Sequence, residues 1–160
     1  MKPTRNLALA ALLAMTALGS AVAIAPPAIA AEYEVRAGDD YPYKGQSGTD
    51  KWGFYKRQCT SFVAHRLDQH GVRFKNAKYK GVFFGNADTW NNAAKSAGVK
   101  VNKTPKVGAV AVWERNSGHV AWVSKVSGGK ITVEEYNWNN PKAYGKRTIS
   151  KNEPDSYVHF

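Results

Sequence analysis

Two runs near the carboxyl end decide the fold: His119-Val120-Ala121-Trp122-Val123-Ser124-Lys125-Val126 and Lys130-Ile131-Thr132-Val133-Glu134-Glu135-Tyr136-Asn137-Trp138. Both are rich in β-branched and aromatic residues, and Ser127-Gly128-Gly129 links them, so they read as a β-hairpin. Working outward, Ala109 to Trp113 precedes them across the turn Arg115-Asn116-Ser117-Gly118, and Tyr157 to Phe160 ends the sequence as a further strand. Consecutive strands joined by such tight links are antiparallel. Upstream the spacing becomes helical. Phe62, Val63, Ala64 and Leu67 form a stripe that opens near Cys59 and stops at Gly71, with His65, Arg66 and His70 placed to meet the negative end of the helix dipole. A second helix is predicted from Asn86 to about Ala97, ended by Gly98. Helices followed by strands predict an α+β domain in which N-terminal helices pack on an antiparallel sheet.

The first thirty residues carry a different signal. Lys2 and Arg5 precede an apolar run from Leu7 to Ile24, and Ala28-Ile29-Ala30 before Ala31 offers small residues for cleavage, so residues 1–30 read as a signal peptide. No second apolar run of that length follows, which argues against stable membrane insertion after cleavage. Residues 31–51 are polar and rich in Gly, Tyr and Pro, and read as a loosely ordered arm ahead of a domain over residues 52–160. The chain after cleavage, about 130 residues, suffices for one core and is too short for two. Losing Lys2 and Arg5 leaves 21 basic and 12 acidic residues, a formal charge of +9. Such an excess favours an anionic partner, an acidic wall polymer or a membrane surface ahead of nucleic acid, for which no recognised binding motif is present.

Cys59 is the single cysteine of a chain read as exported, so it has no partner for an intramolecular disulfide. Nucleophilic catalysis is the sharpest explanation, because a helix amino terminus favours the thiolate form of a cysteine; a small buried hydrophobe is the plain alternative. Of four histidines, His65 and His70 lie on the same helix as Cys59, too far around or along it, and His159 is next to the last residue. His119 follows Gly118 at a strand start, where a rigid element can hold a general base. Strand alternation places Ile131, Val133, Glu135 and Asn137 on one face and Thr132, Glu134, Tyr136 and Trp138 on the other. The first face ends in groups suited to orienting an imidazole; Glu134 is expected to face solvent or the other side.

Five blocks then resemble a known family. Gln58-Cys59-Thr60 at a helix start, Gly85-Asn86-Ala87 leading to Trp90, Pro105-Lys106-Val107-Gly108-Ala109 leading to Trp113, Gly118-His119-Val120-Ala121, and Glu135-Tyr136-Asn137-Trp138 look like successive blocks of the CHAP domain, the cysteine, histidine-dependent amidohydrolase/peptidase family. The resemblance runs from roughly Trp52 to the last residue. It implies a papain-like α+β fold and hydrolysis of amide bonds in bacterial peptidoglycan, as an endopeptidase or an N-acetylmuramoyl-L-alanine amidase. It makes Cys59 the nucleophile, His119 the base and then the acid, and Glu135 with Asn137 the groups that orient His119. The backbone N–H of Cys59 and the side chain of Gln58 are candidates for holding the oxyanion. Trp52, Tyr55 and Trp138, with Phe54, are candidates for a substrate groove, or equally for core.

No metal or cofactor is expected: some relatives carry a calcium loop of closely spaced aspartates before the cysteine, but Tyr41 to Tyr55 offers only Asp50. The expectation is a secreted or wall-associated monomer acting on peptidoglycan, with targeting left to the basic surface or to Ala31 to Asp50. Two other readings stay open on sequence alone: a basic wall-polymer binding protein without catalysis, and a thiol transpeptidase or acyltransferase using an amine in place of water.

Overall fold

The computed structural model describes residues 37–160, so the expected leader and the first residues of the arm lie outside the described residues. Helices Cys59–Gln69 (α1) and Trp90–Ser96 (α2) precede six strands, Lys100–Asn102 (β1), Val110–Trp113 (β2), His119–Ser127 (β3), Lys130–Tyr136 (β4), Tyr144–Ser150 (β5) and Ser156–His159 (β6). The strands form one sheet in the order β1-β6-β2-β3-β4-β5, and every neighbouring pair is antiparallel. The expected α+β architecture is present, with differences at the edges. The second helix begins as a 3₁₀ turn at Ala87–Thr89 instead of running as α-helix from Asn86. β1 and β5 carry no apolar alternation that sequence reading could detect: β1 is three residues long, and β5 alternates exposed Lys146, Thr148 and Ser150 with Arg147 and Ile149.

The sheet is buried on both faces. Val110, Val112, Val120, Trp122, Tyr136 and Val158 form one core with Phe62, Val63 and Leu67 of α1 and Trp90 of α2. Ala109, Ala111, Ala121, Val123, Ile131, Val133 and Tyr157 form a second core on the opposite face. Alternation along β3 and β4 puts His119 with Ala121 and Val123, and Glu135 with Val133, on that second face.

Two charged residues turn inward, and Glu134 takes the second of the two places expected for it, the face opposite Glu135. Glu134 does not face solvent: it lies on the α1 side of the sheet, fully buried, and its Oε2 accepts a hydrogen bond from Arg66 Nη2 at 2.9 Å. Arg66 stands in the last turn of α1, as expected, with its side chain directed into the domain. It is also fully buried: Nη1 donates to Asp40 Oδ1 and Gln69 Oε1, Nη2 donates to the Gly38 carbonyl as well as to Glu134, and Nε has no partner among the described residues. A charge taken out of water requires this many partners.

The same contacts correct the expectation of a loose arm. Gly38 N–H donates to Glu134 Oε1, Tyr41 is buried among Phe62, His65 and Tyr136, and Asp50 is buried with Oδ1 accepting the Trp52 and Phe54 N–H groups. The described part of this segment is thus packed into the domain. No helix among the described residues is long and apolar enough to cross a membrane.

Candidate active site

The approach to α1 is a sharp turn. Arg57 has φ of +63°, the left-handed region that a non-glycine residue enters only under constraint, and its N–H donates to Tyr41 Oη at 2.9 Å. Tyr41 Oη is hydrogen-bonded to Ser61 Oγ, which donates to Asp50 Oδ2. Asp50, the one aspartate weighed for a calcium loop, is committed to this network. The turn delivers Gln58 as the extended cap residue and Cys59, a half-buried free thiol, as the first residue of α1. The N–H groups of a first helical turn have no partner within the helix and point toward its N-terminal end.

His119 arrives from the other side. Asn116, Ser117 and Gly118 all have positive φ, and Gly118 lies so close to the 3₁₀ turn that a Cβ there would come within 2.1 Å of Asp88 N. Only glycine fits, and the contact fixes where β3 starts. His119 is 3% exposed and its Nε2 meets Glu135 Oε2 at 2.8 Å; Glu135 is 2% exposed. With Nε2 engaged, Nδ1 is the ring nitrogen left to serve the Cys59 thiol, which lines the same cleft and whose interaction with the imidazole favours its charged form. Burial opposes the imidazolium, but hydrogen bonds and charge interactions with Cys59 and Glu135 outweigh it and push His119 up to about 9. Glu135 is held below the usual carboxylate range: burial works against its charge, and hydrogen bonds from His119 and Arg147 more than offset it.

Cys59, His119 and Glu135 thus come together in one line, whereas Asn137 does not join it. β4 ends at Tyr136, and Asn137 has φ of +59°, so the alternation that placed it beside Glu135 stops one residue short. Its Oδ1 accepts the Lys142 N–H at 2.8 Å and its Nδ2 donates to Gln58 Oε1 at 2.7 Å. These bonds order two amides in series. The Lys142 backbone N–H can only donate, which sets the Asn137 amide; that sets the Gln58 amide and leaves Gln58 Nε2 as its free donor.

The same turn moves Trp138 off the face expected for it. Its ring packs on His119 at 4.6 Å between centroids, while Trp113 contacts the imidazole at 5.6 Å. A cleft of about 680 Å³ opens over Cys59 and His119. Tyr55, 75% exposed, and Trp138, 46% exposed, stand on its walls, but Trp52 is 2% exposed and belongs to the core. Phe83, 65% exposed and not singled out from sequence, also lines the cleft. Among the described residues no Lys, Arg, Asp or Glu lines it; besides Cys59 and His119 the polar lining is amide and hydroxyl, including Gln58, Asn86, Asn116 and Ser117.

The sequence profile of the CHAP domain matches residues 49–137, more than half of the chain. This chain belongs to the CHAP domain family. The staphylococcal secretory antigen SsaA of Staphylococcus aureus is 41% identical over 103 residues, covering 62% of this chain and 37% of its own length. The probable autolysin LDP of the same species is 39% identical over 103 residues, covering 63% of this chain and 35% of its own. The crystal structure of an N-acetylmuramoyl-L-alanine amidase from S. aureus superposes with a TM-score of 0.54 and 32% identity, over 65% of this chain and 30% of that one. This CHAP domain chain therefore spans little more than a third of the relatives it matches. The profile ends at Asn137, so β5, with Arg147, lies beyond the matched region.

Proposed function

We propose that this protein is a cysteine amidohydrolase that cuts an amide bond of bacterial peptidoglycan. The observation that carries the reading is that Cys59, at a helix amino terminus, and His119, held by the buried Glu135, line one cleft. A protonated His119 beside the sulfur is the resting arrangement that the buried Glu135 favours. The sulfur attacks the amide carbonyl carbon, and the oxyanion is received by the Cys59 backbone N–H and Gln58 Nε2. His119 then gives its proton to the departing nitrogen as the C–N bond breaks, leaving a thioester on Cys59. Water, deprotonated by His119, attacks the thioester and frees the thiol.

The substrate follows from the family and from the cleft. Its amide, hydroxyl and aromatic walls suit an uncharged stretch of wall polymer on both sides of the scissile bond, such as a glycine bridge or the junction of muramic acid with its first peptide residue. Export through residues 1–30 and a wall-associated location fit the name of the secretory relative, and the basic surface suits an anionic wall polymer. Digestion of purified peptidoglycans of different bridge chemistry tests the reading. New amine ends should appear with wild type and vanish with Cys59→Ser; equal cleavage by a folded Cys59→Ser protein would end it.

A further inference from the structure

Glu135 has a second partner on the side away from His119. Arg147, in β5, donates from Nε to Glu135 Oε1 at 2.8 Å and from Nη2 to Oε2 at 3.3 Å, the oxygen that also receives His119. Its third nitrogen, Nη1, reaches Glu153 Oε1 at 2.8 Å. The guanidinium also lies over two rings, 5.1 Å from the centre of Trp113 and 5.0 Å from that of Trp138. Both of those rings contact His119. One side chain therefore holds the carboxylate, stacks on the two aromatics that flank the imidazole, and is itself anchored from outside.

We propose that Arg147 is a positioning residue of the reaction, keeping Glu135 ionised and aimed at His119 through the steps in which His119 has given its proton away. The proposal rests on the assignment of Cys59, His119 and Glu135 above. Its chemistry is that of a buried charge. While His119 is an imidazolium, Glu135 has a cation beside it. Once the proton passes to the departing nitrogen, Glu135 stands 2% exposed next to a neutral ring, and a carboxylate so buried takes up a proton unless another cation compensates it. Arg147 is that cation, and it cannot lose its own charge. The other groups bearing on Glu135 are His119 from β3, Cys59 through His119 from α1, and Glu153 behind Arg147. Lysine is no substitute, because a point charge cannot bond both carboxylate oxygens in one plane while stacking on two rings.

The test is a kinetic comparison of Arg147→Gln and Arg147→Lys with wild type on a soluble wall fragment, with Cys59→Ser alongside and Lys146→Gln as a neighbouring charge change on the other face of β5. Arg147→Gln should lower kcat by about tenfold or more with KM little changed, since misplaced groups cost rate more than binding. The acidic limb of its pH profile should rise by about one unit, because losing an adjacent cation raises a carboxylate's titration point by that much or more. Arg147→Lys should keep the acidic limb nearer wild type and still lose turnover; guanidinium added to Arg147→Ala should recover part of it. Lys146→Gln should match wild type. If Arg147→Gln does not fold, the Lys variant and guanidinium rescue carry the test. Cys59-dependent cleavage with unchanged turnover and an unmoved acidic limb in a folded Arg147 variant overturns the proposal alone. Cleavage surviving in Cys59→Ser overturns the site assignment beneath it.

Discussion

In the proposed reaction His119 sets the working pH range, through a balance of opposing effects. Burial disfavours its charge, the contacts with Cys59 and Glu135 favour it, and the result lies near 9, above the ordinary 6.5. Activity that needs the imidazolium should therefore fall as pH rises through about 9, and a pH–rate profile of wild type reads it. Linkage gives the stability a matching sign. A histidine whose folded value is raised stabilises fully below about 6.5 and ceases to as pH rises through about 9; in His119→Gln that part of the pH dependence of unfolding should disappear. Glu134 offers the contrasting case, one residue from Glu135 with no part in the chemistry. Glu134→Gln leaves the fully buried Arg66 short of a charge partner and should cost about 3 kcal/mol or more in denaturant unfolding, in the range for breaking a buried ion pair. Parity along β4 was enough to separate these two glutamates in sequence, but not to say that Glu134 is buried. That depends on Arg66, 68 residues away, turning inward.

At the scale of elements, the site is made where regular structure stops. The helix start at Cys59, the strand start at His119 and the face of β4 that carries Glu135 were all legible, because each rests on local spacing; the end of β4 at Tyr136 was not. The groups just past those ends were not. Asn137 and Arg57 adopt left-handed backbone, which no periodic pattern announces, so Asn137 serves Gln58 and Trp138 covers His119. Asn137→Ala should accordingly lower turnover through a loosened Gln58, with the titration of His119 unmoved when followed by NMR; a shift in that titration would mean that Asn137 acts on His119 after all. Gly118 is the hinge point between the 3₁₀ turn and β3. Gly118→Ala would force a Cβ into Asp88 N and add a strained positive φ, so it should cost about 1–3 kcal/mol in stability and displace His119. Thermal unfolding and the rate of Cys59 alkylation would register the two effects separately.

Across the whole molecule, the segment before the first helix and β5 are what hold the proposed site together, and both were poorly legible, whereas β6 was read as a strand. Residues 37–51 have no period, yet Tyr41 and Asp50 tie that segment to Ser61, two residues past Cys59. β5 has one apolar residue inside its alternation, yet it supplies Arg147 to Glu135. Their positions depend on long-range hydrogen bonds, and a sequence shows those only once the partners are known. Tyr41→Phe keeps the ring packing and removes the acceptor for the Arg57 N–H. It should cost about 1–3 kcal/mol, the range for stranding a buried polar group, and slow catalysis by freeing the turn that presents Cys59.

The central claim is that Cys59 carries an acyl group from a wall amide to water. Digestion of purified peptidoglycan in heavy-oxygen water, with fragments read by mass spectrometry for wild type and folded Cys59→Ser, tests it most directly. The account predicts that each new carboxyl group carries one solvent oxygen and that these fragments are absent with Cys59→Ser. Fragments that persist without the thiol, or an acyl group recovered on an amine instead of on solvent oxygen, would contradict it.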